Sequence, residues 1–134
     1  MAQSGPTERR RRDQEFRDVG VAATASILQG ALVALQGGYA VKGQEATDLT
    51  AIGVAEGSVD NTAGQDGDQT IRVRRGCFRF ASAGAGDQLS AADIGADVYI
   101  VDDDTVGKTN GGGARSVAGK LFDFDGTFAW VLVG

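Results

Sequence analysis

Three adjacent carboxylates, Asp102, Asp103 and Asp104, form the densest acidic cluster in the chain. Carboxylate oxygens are the natural ligands of Ca²⁺ and Mg²⁺. Adjacent residues of an extended strand, however, point to opposite faces, so the three do not converge on one ion without a special turn. The stretch also lacks the closing Glu of a calcium-binding loop. It reads as a charged turn ending a strand, where carboxylates also discourage edge pairing. Gly107-Lys108-Thr109 has the ending of a phosphate-binding loop. That loop needs another glycine five residues before the Gly-Lys pair and a helix after it. Asp102 holds the first position, and Gly111-Gly112-Gly113 follows where the helix should open. Cys77 lies between Arg75 and Arg79, cations that lower a thiol pKa. It has no second Cys and no His to work with, which favours a buried or interface thiol.

The chain has no histidine and one cysteine. This excludes Ser-His-Asp and Cys-His catalysis, His- or Cys-ligated metal, and an internal disulfide. Carboxylates are numerous, but a glycosidase-type pair is defined by a separation that sequence does not display. The chain is therefore expected not to be an enzyme, and to carry no cofactor and no metal.

These residues must be positioned by something, and the rest of the chain says what. Its 134 residues are the size of one domain with a core of its own. Glycine is conspicuous, 21 residues or about twice the usual share. The longest apolar stretch, Val19 to Leu35, is interrupted by Thr24, Ser26, Gln29 and Gly30. It is too polar for a membrane span, and the arginine-rich start before it does not resemble a signal peptide.

From Ala31 onward the text alternates between short apolar runs and Gly/Asp turns. Ala31–Leu35 and Tyr39–Val41 flank Gly37-Gly38, a hairpin signal. Ala51–Ala55 is a further strand, and Asp60 to Asp68 a loop with an Asp66-Gly67 turn. In Thr70–Arg74, Ile71 and Val73 point one way and Arg72 and Arg74 the other. The alternation resumes at Cys77-Phe78-Arg79-Phe80 after Arg75-Gly76, which predicts one strand with a glycine bulge or a tight hairpin. Ser90 to Asp93 has capping-box spacing for a single helical turn. Asp97–Val101 is the most hydrophobic strand, and Asp125-Gly126 joins Val117–Phe124 to Thr127–Val133 in a hairpin. The sum is an all-β fold: a small barrel or sandwich of about seven to nine short strands. Phe122, Phe124, Phe128 and Trp130 are expected in its core and cross-strand packing.

Residues 1–18 are expected to form a flexible arm preceding a β-rich domain over 19–134. Net charge is −5 overall, but residues 1–20 carry +1 and the remainder −6. An acidic body repels nucleic acid, so no direct nucleic-acid partner is expected. Arg9, Arg10, Arg11 and Arg12 read either as a solvated basic tail or as an arm that orders against an acidic partner surface, while Phe16, Val19 and Val21 are the first residues able to anchor the arm. Arg17 shares that segment. Arg72, Arg74, Arg75 and Arg79 form a basic stripe fit for a neighbour's acids.

Several segments resemble the small capsid cement (head decoration) proteins of tailed bacteriophages. They are Leu49-Thr50-Ala51-Ile52-Gly53-Val54-Ala55, Val59-Asp60-Asn61-Thr62, Gly67-Asp68 and Arg75-Gly76-Cys77-Phe78. Ile94 through Asp103 with Thr105-Val106, Ser116 through Lys120, and Trp130-Val131 complete the resemblance over roughly residues 19–134. It implies a β-rich domain on the outer surface of the virion capsid, made in the host cytoplasm and bound to the major capsid protein. It further implies a dimer or trimer, no membrane partner and no active site. The partner-binding candidates are Arg9, Arg10, Arg11, Arg12, Phe16, Arg17, Val19, Arg72, Arg74 and Arg79. Two alternatives remain open: another self-assembling virion component of tail or fibre, and a small ligand- or metal-binding β-barrel.

Overall fold

The computed structural model describes residues 2–134, and the fold is all-β. The strands are β1 (Phe16–Gly20), β2 (Ser26–Ile27), β3 (Leu32–Gln36), β4 (Tyr39–Lys42), β5 (Thr50–Ala55) and β6 (Val59–Asp60). They continue with β7 (Thr70–Arg74), β8 (Gly76–Ser82), β9 (Asp97–Ile100), β10 (Thr105–Gly107), β11 (Val117–Phe124) and β12 (Phe128–Val133). Twelve strands replace the expected seven to nine, because β2, β6 and β10 are only two or three residues long. Pieces that short carry no readable alternation.

Two sheets divide the chain. The first has the order β1-β7-β5-β3-β4. It curls until Val21, one residue past β1, bridges Ala40 of β4. The second is a closed barrel in the order β10-β8-β12-β11-β9, sealed by the parallel pair β10–β8. Closure removes the open edges of that sheet.

The expected hairpins form. Gly37 and Gly38 both take positive φ between β3 and β4, the conformation a two-residue connection requires. Asp125 caps the three-residue β11–β12 turn by accepting hydrogen bonds from the N–H groups of Thr127 (3.0 Å) and Phe128 (2.7 Å). Ser90 and Asp93 make a reciprocal capping box on the 3-10 turn Ala91–Asp93.

Thr70–Phe80 is neither one bulged strand nor a hairpin. β7 belongs to the first sheet and β8 to the barrel, and the chain changes sheet at Arg75. Gly76 takes φ +155 at the crossing. Arg75 holds the junction: its N–H donates to Glu15 O (2.9 Å), and its guanidinium donates to Gln14 Oε1 (2.7 Å) and to Gly134 O.

Two cores result. One lies inside the curled sheet and includes Val21, Ile27, Val33, Ile52, Ile71 and Val73. The other fills the barrel with Phe80, Val98, Ile100, Val106, Leu121 and Val131, and continues onto Leu32, Ala34, Val41 and Leu49. β3 therefore feeds both, Val33 inward and Leu32 and Ala34 toward the barrel. A strand buried on both faces is continuously apolar rather than alternating, as Leu32–Leu35 is.

The boundary expected after residue 18 does not coincide with the first strand. Residues 2–15 carry no strand, but Phe16, Arg17 and Asp18 belong to β1.

Candidate interaction surfaces

The alternation of β7 sets up the first surface. Ile71 and Val73 are buried, so Arg72 and Arg74 stand on the outer face. Antiparallel pairing places Phe16 opposite Arg74 and Asp18 opposite Arg72. The Phe16 ring lies under both guanidinium groups, at 4.9 Å from Arg72 and 5.6 Å from Arg74, as cation–π contacts require. Glu15 pairs with Arg74 at 2.8 Å and Asp18 with Arg72 at 3.7 Å. Of the partner-binding candidates, Phe16, Arg72 and Arg74 are thus brought together. Arg17 lies exposed opposite Val73. Val19 is half-buried against the first core. Arg9 to Arg12 lie exposed in the segment without strands, where Arg9 Nη2 donates to Gln3 Oε1 at 2.7 Å.

Arg79 belongs elsewhere, on the outer face of the barrel, stacked 4.3 Å from the Phe128 ring. The sequence reading grouped it with Arg72 and Arg74; the sheet change at Arg75 separates them. Trp130 sits opposite Arg79 on one side and Asp123 on the other, and Leu132 opposite Cys77 and Lys120. Trp130 is 37% exposed, Leu132 46% and Phe122 60%. Phe122 projects because the β11–β12 register slips between Leu121 and Asp123. These positions overturn the expected core placement of Trp130 and Phe122; Phe124 and Phe128 are half-buried. The interior side of β12 takes Ala129, Val131 and Val133 instead. A five-stranded barrel has room for few large side chains, and with Phe80, Ile100 and Leu121 already inside, β12 turns Trp130 outward. Val117 and Leu132 continue the apolar surface into a shallow groove that reaches Leu49 and Gly134.

Cys77 is exposed on this face, not buried. Partial desolvation, reinforced by the nearby Asp123 carboxylate, pushes its thiol pKa above the ordinary value. The flanking arginines do not activate it. Asp125 is held below the ordinary carboxylate range, first by the Phe128 and Thr127 backbone N–H groups, then by Trp130 and Arg79.

The other candidate groups close loops. Asp102 Oδ1 accepts from the Asp104 N–H at 2.8 Å, while the carbonyls of Asp103 and Asp104 accept from Leu32 and Ala81. The triple-Asp turn thereby ties β3 to β8. Among the described residues, no group of three or more His, Cys, Asp or Glu side chains is placed to hold a metal ion. Thr109 donates to Asp87, and Lys108 approaches Asp93 at 3.9 Å. Arg115, unmarked by any motif, joins the two sheets: Nε donates to Glu45 (2.9 Å) and Nη1 to Asp87 (3.1 Å). Ser116 Oγ donates to Ala46 O and accepts from the Leu49 N–H beside it.

Comparison with family models, with curated proteins and with solved structures gave no match to this chain.

Proposed function

We propose that this protein decorates the outside of an assembled bacteriophage capsid, binding the major capsid protein lattice and holding it against internal DNA pressure. The observation that carries the reading is the outer barrel face. Phe122, Trp130 and Leu132 stand exposed beside Arg79 on a closed, rigid sheet. Trp and Arg are the residues that dominate binding energy at protein interfaces. Large apolar side chains grouped on an exposed face support a contact with another molecule. The resemblance of residues 19–134 to cement proteins supplies the kind of partner. A stable pairwise complex buries roughly 800 Å² per partner. Repetition over a lattice turns a smaller contact into firm attachment.

The test is co-sedimentation of the purified protein with expanded and unexpanded capsids across a salt series. Binding to expanded capsids alone, with occupancy falling at least roughly tenfold in Trp130→Ala, is the expected result. Failure to bind either form, with self-assembly in its place, would favour a tail or fibre component.

A further inference from the structure

We propose that β1 is a dimerisation strand: a second copy of this chain adds its own β1 antiparallel to it, about a two-fold axis centred on Phe16. β7 occupies one side of β1, and among the described residues no strand occupies the other along Phe16–Val19. The direction of the free groups follows from the ladder. Val21 donates to Gln69 O, and Arg75 donates to Glu15 O, so the odd residues of this stretch face β7. Phe16 and Asp18 therefore turn their N–H and C=O outward, a template for strand addition.

Charge selects the register. A two-fold axis normal to the sheet pairs residues that share a face, which leaves few choices. Centring on Arg17 sets Arg17 against Arg17, and centring on Asp18 sets Asp18 against Asp18; like charges directly opposite are destabilising. Centring on Glu15 sets two carboxylates together. Centring on Phe16 sets the rings side by side, Glu15 against Arg17 twice, and Gln14 against Asp18 twice, with no like-charged pair. Glu15 is held by Arg74 in the single chain, so meeting the incoming Arg17 requires Glu15 to exchange that exposed ion pair for the one across the new seam. Arg72 is already opposed by Asp18 across the same face. Extending the ladder to Gln14 requires the bend at Gln14–Glu15 to straighten and the Gln14 side chain to leave Arg75. The proposal does not rest on the capsid reading, and its test uses no capsid.

Sedimentation equilibrium of the full chain measures association, and cysteine pairing measures register. In an antiparallel hydrogen-bonded pair the Cα atoms lie about 5.5 Å apart, within disulfide range. Phe16→Cys in a Cys77→Ser background is expected to give a disulfide-linked dimer under mild oxidation, while Asp18→Cys in the same background is not. Arg17→Glu is expected to weaken association on the order of tenfold, and Glu15→Arg with Arg17→Glu to recover most of it. A chain that stays monomeric to millimolar concentration overturns the proposal. So does equal cross-linking at positions 16 and 18, or a dimer indifferent to Arg17→Glu.

Discussion

Trp130 and Asn61 exchange the roles that their residue types suggest. Trp130 is half-exposed, whereas Asn61, in a loop of polar residues, is 2% exposed. The Asn61 amide donates to the carbonyls of Val21 (3.3 Å), Ala22 (2.9 Å) and Gln65 (3.0 Å), holding the β6–β7 loop against the end of β1. Asn61→Ala removes all three bonds of this buried amide, though each carbonyl keeps a backbone donor (Gly67, Ala25 and Asp68 N–H), and is expected to cost about 1–3 kcal/mol in chemical denaturation. Trp130→Ala is expected to cost only about 1 kcal/mol, because no core cavity forms. Nothing in the sequence ranks the two this way, since a barrel's tight interior is a property of closure and not of local pattern. The carboxylates give a second expectation. Asp60 is held below its ordinary pKa of 3.8 chiefly by the Thr62 hydroxyl, Asp87 by the Thr109 hydroxyl, and Asp125 by backbone N–H groups. A lowered folded pKa stabilises the fold fully above the ordinary value and is lost as pH falls through the folded one. Melting temperature is therefore expected to be flat from neutrality to about pH 5 and to decline below about pH 4, less steeply in Asp125→Asn.

Among the elements, hairpins were legible and sheet membership was not. Gly37-Gly38 and Asp125-Gly126 announce their turns because only particular backbone angles close them. Ser90 and Asp93 announce their capping box in the same local way. The passage from β7 to β8 uses the same Arg-Gly signal as a bulge, and its true meaning lies in partners far off in the sequence. β5 shows the same limit. Gly53 pairs with Val33 just where the β3–β5 register slips, and a Cβ there would lie 2.3 Å from Arg74 O. The start of β1 was only half legible: Phe16 stands out as the first anchor, but Arg17 and Asp18 beside it look like the polar segment before them and are fixed only by pairing with β7. Two truncations separate arm from strand. Removing residues 2–13 is expected to shift the melting temperature by no more than ~2 °C. Removing residues 2–20 uncovers Ile71 and Val73 on the first core and is expected to lower it by more than about 10 °C, or to prevent folding.

For the whole molecule, composition and turn spacing suffice for an all-β class, because glycine-rich turns at short intervals leave no room for helices. They do not reveal two sheets. The division depends on β3 facing two cores and on Arg115 and Ser116 fastening the β4–β5 loop to the barrel. These are long-range side-chain bonds without a sequence signature. The same holds for the interaction surfaces. The Phe16–Arg72–Arg74 stack was approachable, because its residues alternate visibly. The Trp130 face was not, because its apolar residues look like core until the barrel's narrow interior is known.

Arg75 has one more consequence, which concerns where the chain's ends emerge. Its backbone and guanidinium grip Glu15 and Gln14 at the root of the arm, and the same guanidinium holds the carbonyl of Gly134. Anything attached beyond Gly134 therefore leaves the molecule beside the arm. A displayed peptide or reporter grafted there would start beside Arg75 and the Ile52 carbonyl, on the side of β1 that β7 and β5 occupy. Joining Gly134 to Gln14 by a few residues, with the residues before Gln14 removed, and opening the backbone at the Gly111–Gly113 tip would instead give a circularly permuted barrel with both new termini at that tip.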